Sequence, residues 1–305
     1  MNTRIKGTIL TLFGGICWGM SGIVGKILFD EKGLTAQWLV TSRLLFGGML
    51  LLLIAFCKKR GEIFDIWKNK KSAGSTLMFA VFGMLACQLT YFLCIDYSNP
   101  ATATVLQYTS PVIIMLLCLA MDRRRPEWIE MLVLVIVIVS VFLMSTHGNI
   151  HSLSLSKRTL IMGFLAALTV VFYNMWPTRL LKAYGSEVVI GWSMFLGGVF
   201  LFPFSKFWEV PGIWGWQTVV LLGIVILFGT VCSFTCYLKG VVYLGPVQSS
   251  LYACVEPLVS AILTVIVLHE DFKAADYAGM AGILGGVTAL AIHGIVKESK
   301  KERKE

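Results

Sequence analysis

Ten stretches of roughly 20 apolar residues follow one another along this chain, at 6–29, 36–57, 74–95, 100–121, 128–146, 159–181, 187–206, 215–239, 246–268 and 274–295. A helix of that length crosses a hydrocarbon layer about 30 Å thick. In lipid, such a segment must satisfy its backbone groups internally, which leaves the helix as its conformation. The connections are short, so no soluble domain fits between the runs. Only 14% of the residues are charged, against about 25% in an ordinary soluble domain. The sequence predicts an all-α polytopic membrane protein of ten transmembrane helices.

A formal net charge of +9 invites a nucleic-acid reading, and the placement of the charges excludes it. With the N-terminus in the cytoplasm, the inner side receives Arg4, Lys6, Lys58, Lys59, Arg60, Lys68, Lys70, Lys71, Arg123, Arg124, Arg125, Arg179, Lys182, Lys239 and five residues from Lys297 onward. The outer side receives only Lys32, Lys157, Arg158, Lys206 and Lys273. That asymmetry is a positive-inside signature with both termini cytoplasmic. The basic tail 297–305 then lies beside anionic headgroups. The first span continues without a small-x-small cleavage site and is expected to stay in the mature protein. The cysteines sit in or at the ends of spans and form no CxxC pair, so they read as small apolar fillers rather than a disulfide or metal framework.

Within the apolar background, residues 97–111 read YSNPATATVLQYTSP. Shifted by 146 positions, the chain gives YLGPVQSSLYACVEP at 243–257. Phe82, Gly83, Tyr91, Tyr97, Pro100, Pro111 and Leu117 then meet Phe228, Gly229, Tyr237, Tyr243, Pro246, Pro257 and Leu263 without a gap. FGGML at 46–50 and LGGVF at 196–200 align at a shift of 150. The chain is thus two homologous halves of five spans, 1–147 and 159–296, joined by a segment at 148–158. An odd number of spans per half puts the halves in opposite orientations, the inverted repeat of many secondary transporters.

WGMSGIVGK in the first span, SRLLFGG in the second, the two Pro-flanked segments of the fourth and ninth, and LHEDFKAADYAGMAGILGGV at the last pair together resemble EamA-type transporters of the drug/metabolite transporter superfamily. The resemblance covers residues 7 to 295. It implies ten helices in two inverted five-helix halves and transport of small metabolites, commonly export of amino acids and related compounds. His269 stands where that family often has a glycine before the glutamate, here Glu270, and Arg124 occupies the matching turn of the first half.

Polar side chains within a span are costly in lipid and face a bundle interior or a watery cavity. Thr104, Gln107, Tyr108 and Pro111 share one face of the fourth span, and Ser249, Tyr252 and Glu256 share one face of the ninth. Glu256 is the acidic side chain deepest in any span, suited to a substrate amine, a proton or a buried pairing with a cation. Lys26 and Arg43 lie in the outer thirds of their helices, where either could attract a carboxylate or snorkel; Lys26 could equally pair with Asp30 one turn on. The further substrate-binding candidates are Trp18, Ser21, Gln88, Tyr91, Tyr173, Asn174, Trp192 and Tyr237, with packing hydrogen bonds as the competing role. Pro111, Pro177 and Pro257 are expected to break helices and to mark gating positions. Trp208, Trp214 and Trp216 read as an interfacial belt.

No nucleotide-binding GxxxxGK[ST] loop occurs, no histidines stand at metal-ligand positions within the membrane, and the acidic clusters of an intramembrane transferase are missing. The expectation is therefore a non-enzymatic secondary transporter, gradient-driven or facilitative, with no cofactor and no metal, and with protons or another ion as the coupling partner where it is driven. Its partners would be a small-molecule substrate and the lipid bilayer of the cell membrane, with the protein a monomer or weak homo-oligomer. Amino acids or related amphiphilic solutes are the leading substrates; nucleobases, nucleosides, amines, drugs and sugar derivatives are same-class alternatives. A lipid-modifying enzyme and a non-transporting sensor are rivals of a different class.

Overall fold

A computed structural model of the chain describes residues 3–110, 112–113, 116–117, 120, 127–146, 155–244, 249, 252–253 and 255–302. Among them every regular element is helical. Helices α1 (Thr3–Asp30) and α2 (Ala36–Lys59) lead through a short 3₁₀ turn and α3 (Asp65–Lys68) to α4 (Lys70–Met78) and α5 (Ala86–Tyr97). The first half closes with α6 (Pro100–Gln107) and α7 (Trp128–Thr146), and the second opens with α8 (Lys157–Met175), α9 (Thr178–Tyr184) and α10 (Ser186–Leu201). Then come α11 (Trp216–Ile226), α12 (Ser233–Leu244), α13 (Val255–Leu268) and α14 (Ala274–Glu302). Among the described residues, four continuous helical stretches, Ile5–Asp30, Ala36–Lys58, Lys70–Tyr97 and Trp216–Val241, are long and apolar enough to cross a bilayer, and three shorter apolar helices accompany them.

Local chemistry sets the element ends. The Asn69 side chain accepts from Lys71 N at 2.9 Å and caps α4. Asn99 accepts from Thr102 N at 2.9 Å and caps α6, with Pro100 as the first helical residue, where its missing N–H costs nothing. Ser156 accepts from Thr159 N at 3.1 Å and caps α8. Pro203 follows the end of α10 at Leu201 closely, so this helix stops short of the apolar run, which extends to 206.

The two halves interlock through corresponding helices, each pair running antiparallel. Between α2 and α10, a Cβ at Gly198 would lie 2.8 Å from Leu45 N, one at Gly48 would lie 2.9 Å from Phe195 Cα, and one at Gly191 would lie 3.2 Å from Leu52 N. As one helix number rises the other falls, and the glycines let the backbones touch, as small residues do between membrane helices. The α7–α14 pair follows the same rule: Gly279 packs on Met144, Gly286 on Val133, and His293 Nε2 meets Glu127 Oε2 at 2.7 Å. The α6–α13 pair does likewise, with Thr104 near Ser260 and Tyr108 near Glu256. Opposite orientation of corresponding helices is the inverted architecture expected from the odd span count.

Each half also carries a π turn where the repeat places its Phe-Gly pair, at Phe79–Leu85 between α4 and α5 and at Leu227–Cys232 between α11 and α12. A π turn inserts an extra residue into the i→i−4 ladder and re-aims backbone groups.

Candidate functional site

The second π turn is where three elements meet. Arg43, on α2 and only 3% exposed, donates from Nη2 to Gly229 O at 2.9 Å and from Nε to Thr230 Oγ1 at 3.1 Å. The guanidinium carbon also sits 4.5 Å from the Phe92 ring centroid, a cation–π contact. From the other side, Ser21 of α1 packs so closely on Gly229 that a Cβ there would collide with it. Thus two sequence candidates, Arg43 and Ser21, are brought together by the π turn of the opposite half. Arg43 fastens the halves here, instead of standing free for a carboxylate.

A second polar group lies across α5, α6 and α13. Tyr91 OH is 2.8 Å from Thr104 Oγ1, which donates to Pro100 O at 2.7 Å and lies 3.4 Å from Ser260 Oγ. One turn along, Tyr108 OH is 2.9 Å from Ala253 O and 3.2 Å from Glu256 Oε2. Gln107 Nε2 is 3.8 Å from Cys87 Sγ. Gln88 is 7% exposed, and neither its Nε2 nor its Oε1 has a hydrogen-bond partner among the described residues. Arg43 and Glu256 are near enough to attract each other but form no ion pair. The arrangement can present a buried carboxylate, an amide and phenolic hydroxyls to one solute.

Aromatic candidates form the adjoining wall. Trp18 meets Phe234 and Tyr237, both at 5.1 Å between ring centroids. Tyr173 stacks on Phe79 at 5.8 Å and approaches Phe234 edge-on at 6.4 Å. Phe234 also lines a cleft of about 130 Å³ with Leu51, Ser186, Glu187, Ile190, Thr235 and Lys239. The cleft and the aromatic wall therefore share one ring. Beside this cleft, Lys58 Nζ pairs with Glu187 Oε1 at 2.8 Å.

Other candidates fall elsewhere. Trp192 donates from Nε1 to Ile63 O at 2.8 Å and packs edge-on against Phe64 and Trp67, so it joins α10 to the connection after α2. Tyr252 is half-buried with no polar partner among the described residues. Lys26 pairs with Asp30 at 3.2 Å and donates to Asp96 O at 3.3 Å, the packing alternative for that residue. Pro177 separates α8 from α9. Pro257 is buried within α13, and residues 252–253 ahead of this element are also helical. Pro111 and the side chain of Asn174 lie outside the described residues, although the helical run of α6 already ends at Gln107.

Sequence reasoning missed Gly229, Thr230, Phe92 and Ser260. Gly229 was visible as half of a repeated Phe-Gly pair, but nothing in that pair announces an i→i+5 turn. Ser260 stands one turn beyond Glu256 on the same face and could have been added by periodicity alone.

Comparison with known proteins bears on this geometry. The model of the EamA-like transporter family matches the chain twice, over residues 5–146 and 157–292. An uncharacterized inner membrane transporter of Salmonella typhimurium, YicL, is 36% identical over 296 residues, covering 96% of this chain and 97% of its own. The uncharacterized transporter YetK of Bacillus subtilis is 24% identical, over 90% of this chain and 83% of its own. A protein of known crystal structure superposes with a TM-score of 0.63 at 13% identity, over 94% of this chain and 96% of that one, a likeness of fold.

Proposed function

The chain belongs to the EamA-like transporter family, and from that premise we propose that it is a secondary transporter exporting amino acids or related small amphiphilic solutes by alternating access. It is a multi-pass bacterial inner membrane protein, and its family and relatives point to transport rather than catalysis. The observation that carries the reading is the antiparallel packing of corresponding helices around a buried polar cluster. Two inverted halves offer two arrangements of similar energy, one open to each side, with a site between them. The polar cluster of α5, α6 and α13 and the aromatic wall of Trp18, Tyr173 and Tyr237 are the proposed lining.

On this reading the ten-span topology keeps both termini in the cytoplasm, and the cleft beside Glu187 and Lys239 faces the cytoplasm as the entry side. A proton or other ion gradient supplies the energy. Untargeted metabolite profiling of cells and medium, with and without overexpression, tests both substrate and direction. The expected result is one or a few small amphiphilic solutes depleted inside and enriched outside. An unchanged profile in both compartments contradicts the proposal.

A further inference from the structure

Glu256 is a buried carboxylate without a cation of its own. It is 9% exposed, and its one hydrogen-bond partner among the described residues is the hydroxyl of Tyr108. That hydroxyl has a single proton and two acceptors in reach, Ala253 O at 2.9 Å and Glu256 Oε2 at 3.2 Å. The other buried carboxylates among the described residues are used differently. Glu130 accepts from Glu127 N at 2.7 Å and Asp276 from Lys273 N at 2.9 Å, each at the start of a helix. Arg43, the buried cation within electrostatic range, directs two of its three nitrogens to Gly229 and Thr230 and lays its plane on Phe92. A charge buried with so little compensation is costly unless a counter-charge joins it.

The helix registers place a second unsatisfied group at the same depth. On α5 and α6, Tyr91 pairs with Thr104 and Cys87 with Gln107, so these helices run antiparallel. On α6 and α13, Thr104 pairs with Ser260 and Tyr108 with Glu256. Tyr91, Thr104 and Ser260 therefore form one layer. The layer one helical turn away, about 5.4 Å, contains Gln88, Tyr108 and Glu256. Gln88 brings to it a buried amide with both polar atoms unpartnered. Native proteins rarely leave such groups unpaired without a ligand or water to meet them.

We propose that the layer of Gln88, Tyr108 and Glu256 binds the ammonium group of an amine-bearing solute, with Glu256 as counter-charge and the Gln88 amide as its neighbouring hydrogen-bond partner. The proposal rests on the transporter reading above and narrows it. A positive amine is required, and a free carboxylate on the solute is dispensable, because the binding charge is negative. The Trp18, Phe234 and Tyr237 wall accepts the solute's apolar part.

The test uses phenethylamine, phenylalanine, phenethyl alcohol and 3-phenylpropionate, four solutes that share a ring and differ in charge. Each is titrated against the purified full-length protein by calorimetry, and each is offered to proteoliposomes in counterflow. The amine and the amino acid should bind, and the alcohol and the acid at least about tenfold more weakly, as expected for loss of a charge-assisted hydrogen bond. Glu256→Gln should weaken phenethylamine about 10- to 100-fold and leave phenethyl alcohol unchanged. Gln88→Leu should cost a smaller factor. Should Glu256→Gln fail to fold, Glu256→Asp keeps the charge and must keep the preference for amine over alcohol.

Equal binding of amine and acid by the wild type, absence of binding by all four, or full retention of amine binding in Glu256→Gln overturns the amine site. Binding of phenethylamine through Glu256 without counterflow supports the site and contradicts transport. Counterflow of 3-phenylpropionate without that of the amines supports transport and overturns the site.

Discussion

At the residue scale, Arg43 shows how position in a sequence and role in a fold diverge. Its depth in the second span suited it either to attract a carboxylate or to snorkel, and the structure turns it toward a backbone carbonyl of the opposite half. Arg43→Met keeps the apolar stem and removes both hydrogen bonds and the ring contact. It is expected to lower stability by ~1–3 kcal/mol, read as an earlier unfolding midpoint in detergent. Thr230→Val removes the Nε acceptor together with the hydroxyl's own donation to Val225 O, leaves the bond to Gly229 O, and should cost less, about 1 kcal/mol. If Arg43→Met left stability unchanged and abolished solute binding, the fastening role would be wrong and the guide role right. Gly229→Ala is harsher, because the added methyl meets Ser21 of α1 head-on. Little folded protein should be recovered from membranes expressing it.

At the element scale, the spans and the repeat were legible because apolar length and a fixed offset are properties of sequence. The π turns were not, because a change from i→i−4 to i→i−5 bonding leaves no side-chain pattern behind. Partner choice was equally hidden. Which residue faces Gln88 or Arg43 depends on how helices far apart in the chain pack, and Gly229 is 186 positions from Arg43. Glu256 and Tyr108 were found by periodicity, since both lie on one face of their helices, but their pairing needed the antiparallel register. The helix pair α2–α10 gives a prediction at this scale. A Cβ at Gly48 would fall 2.5 Å from Phe195 N, and a helix backbone cannot withdraw as a side-chain tip can. Gly48→Val should push the two helices apart and abolish stable assembly, seen as aggregation on size-exclusion chromatography. Gly74→Ala, where nothing lies within 4 Å, should behave as wild type.

At the scale of the whole molecule, the halves are tied at both ends by related devices. At one end, Trp38 of α2 stacks on Phe207 at 4.8 Å and donates to its carbonyl at 3.2 Å. There Gly33 and Gly212, both with positive φ, bring their two connections into contact, a backbone conformation that glycine adopts without strain. Lys32 Nζ meets Gln217 Oε1 at 3.1 Å at the same end. At the other end, Trp192 of α10 donates to Ile63 O, and Lys58 pairs with Glu187. Since α2 and α10 are corresponding helices, each half thus holds the connection that follows its counterpart. Alternating access requires these two ties to loosen in turn, and one exposed ion pair, one exposed lysine–glutamine hydrogen bond and single tryptophan hydrogen bonds, worth about 1 kcal/mol each, are weak enough to do so.

The most direct test is a pair of reversible locks, each made in a background with the exposed Cys57 replaced by serine. One variant carries Lys32→Cys with Gln217→Cys, the other Lys58→Cys with Glu187→Cys, and each pair is bridged by a short bifunctional thiol reagent that reductant cleaves. Counterflow of a solute identified by metabolite profiling is then measured in proteoliposomes. The account predicts that either lock alone stops counterflow and that reduction restores it. Undiminished counterflow with either end bridged would contradict alternating access between the two halves.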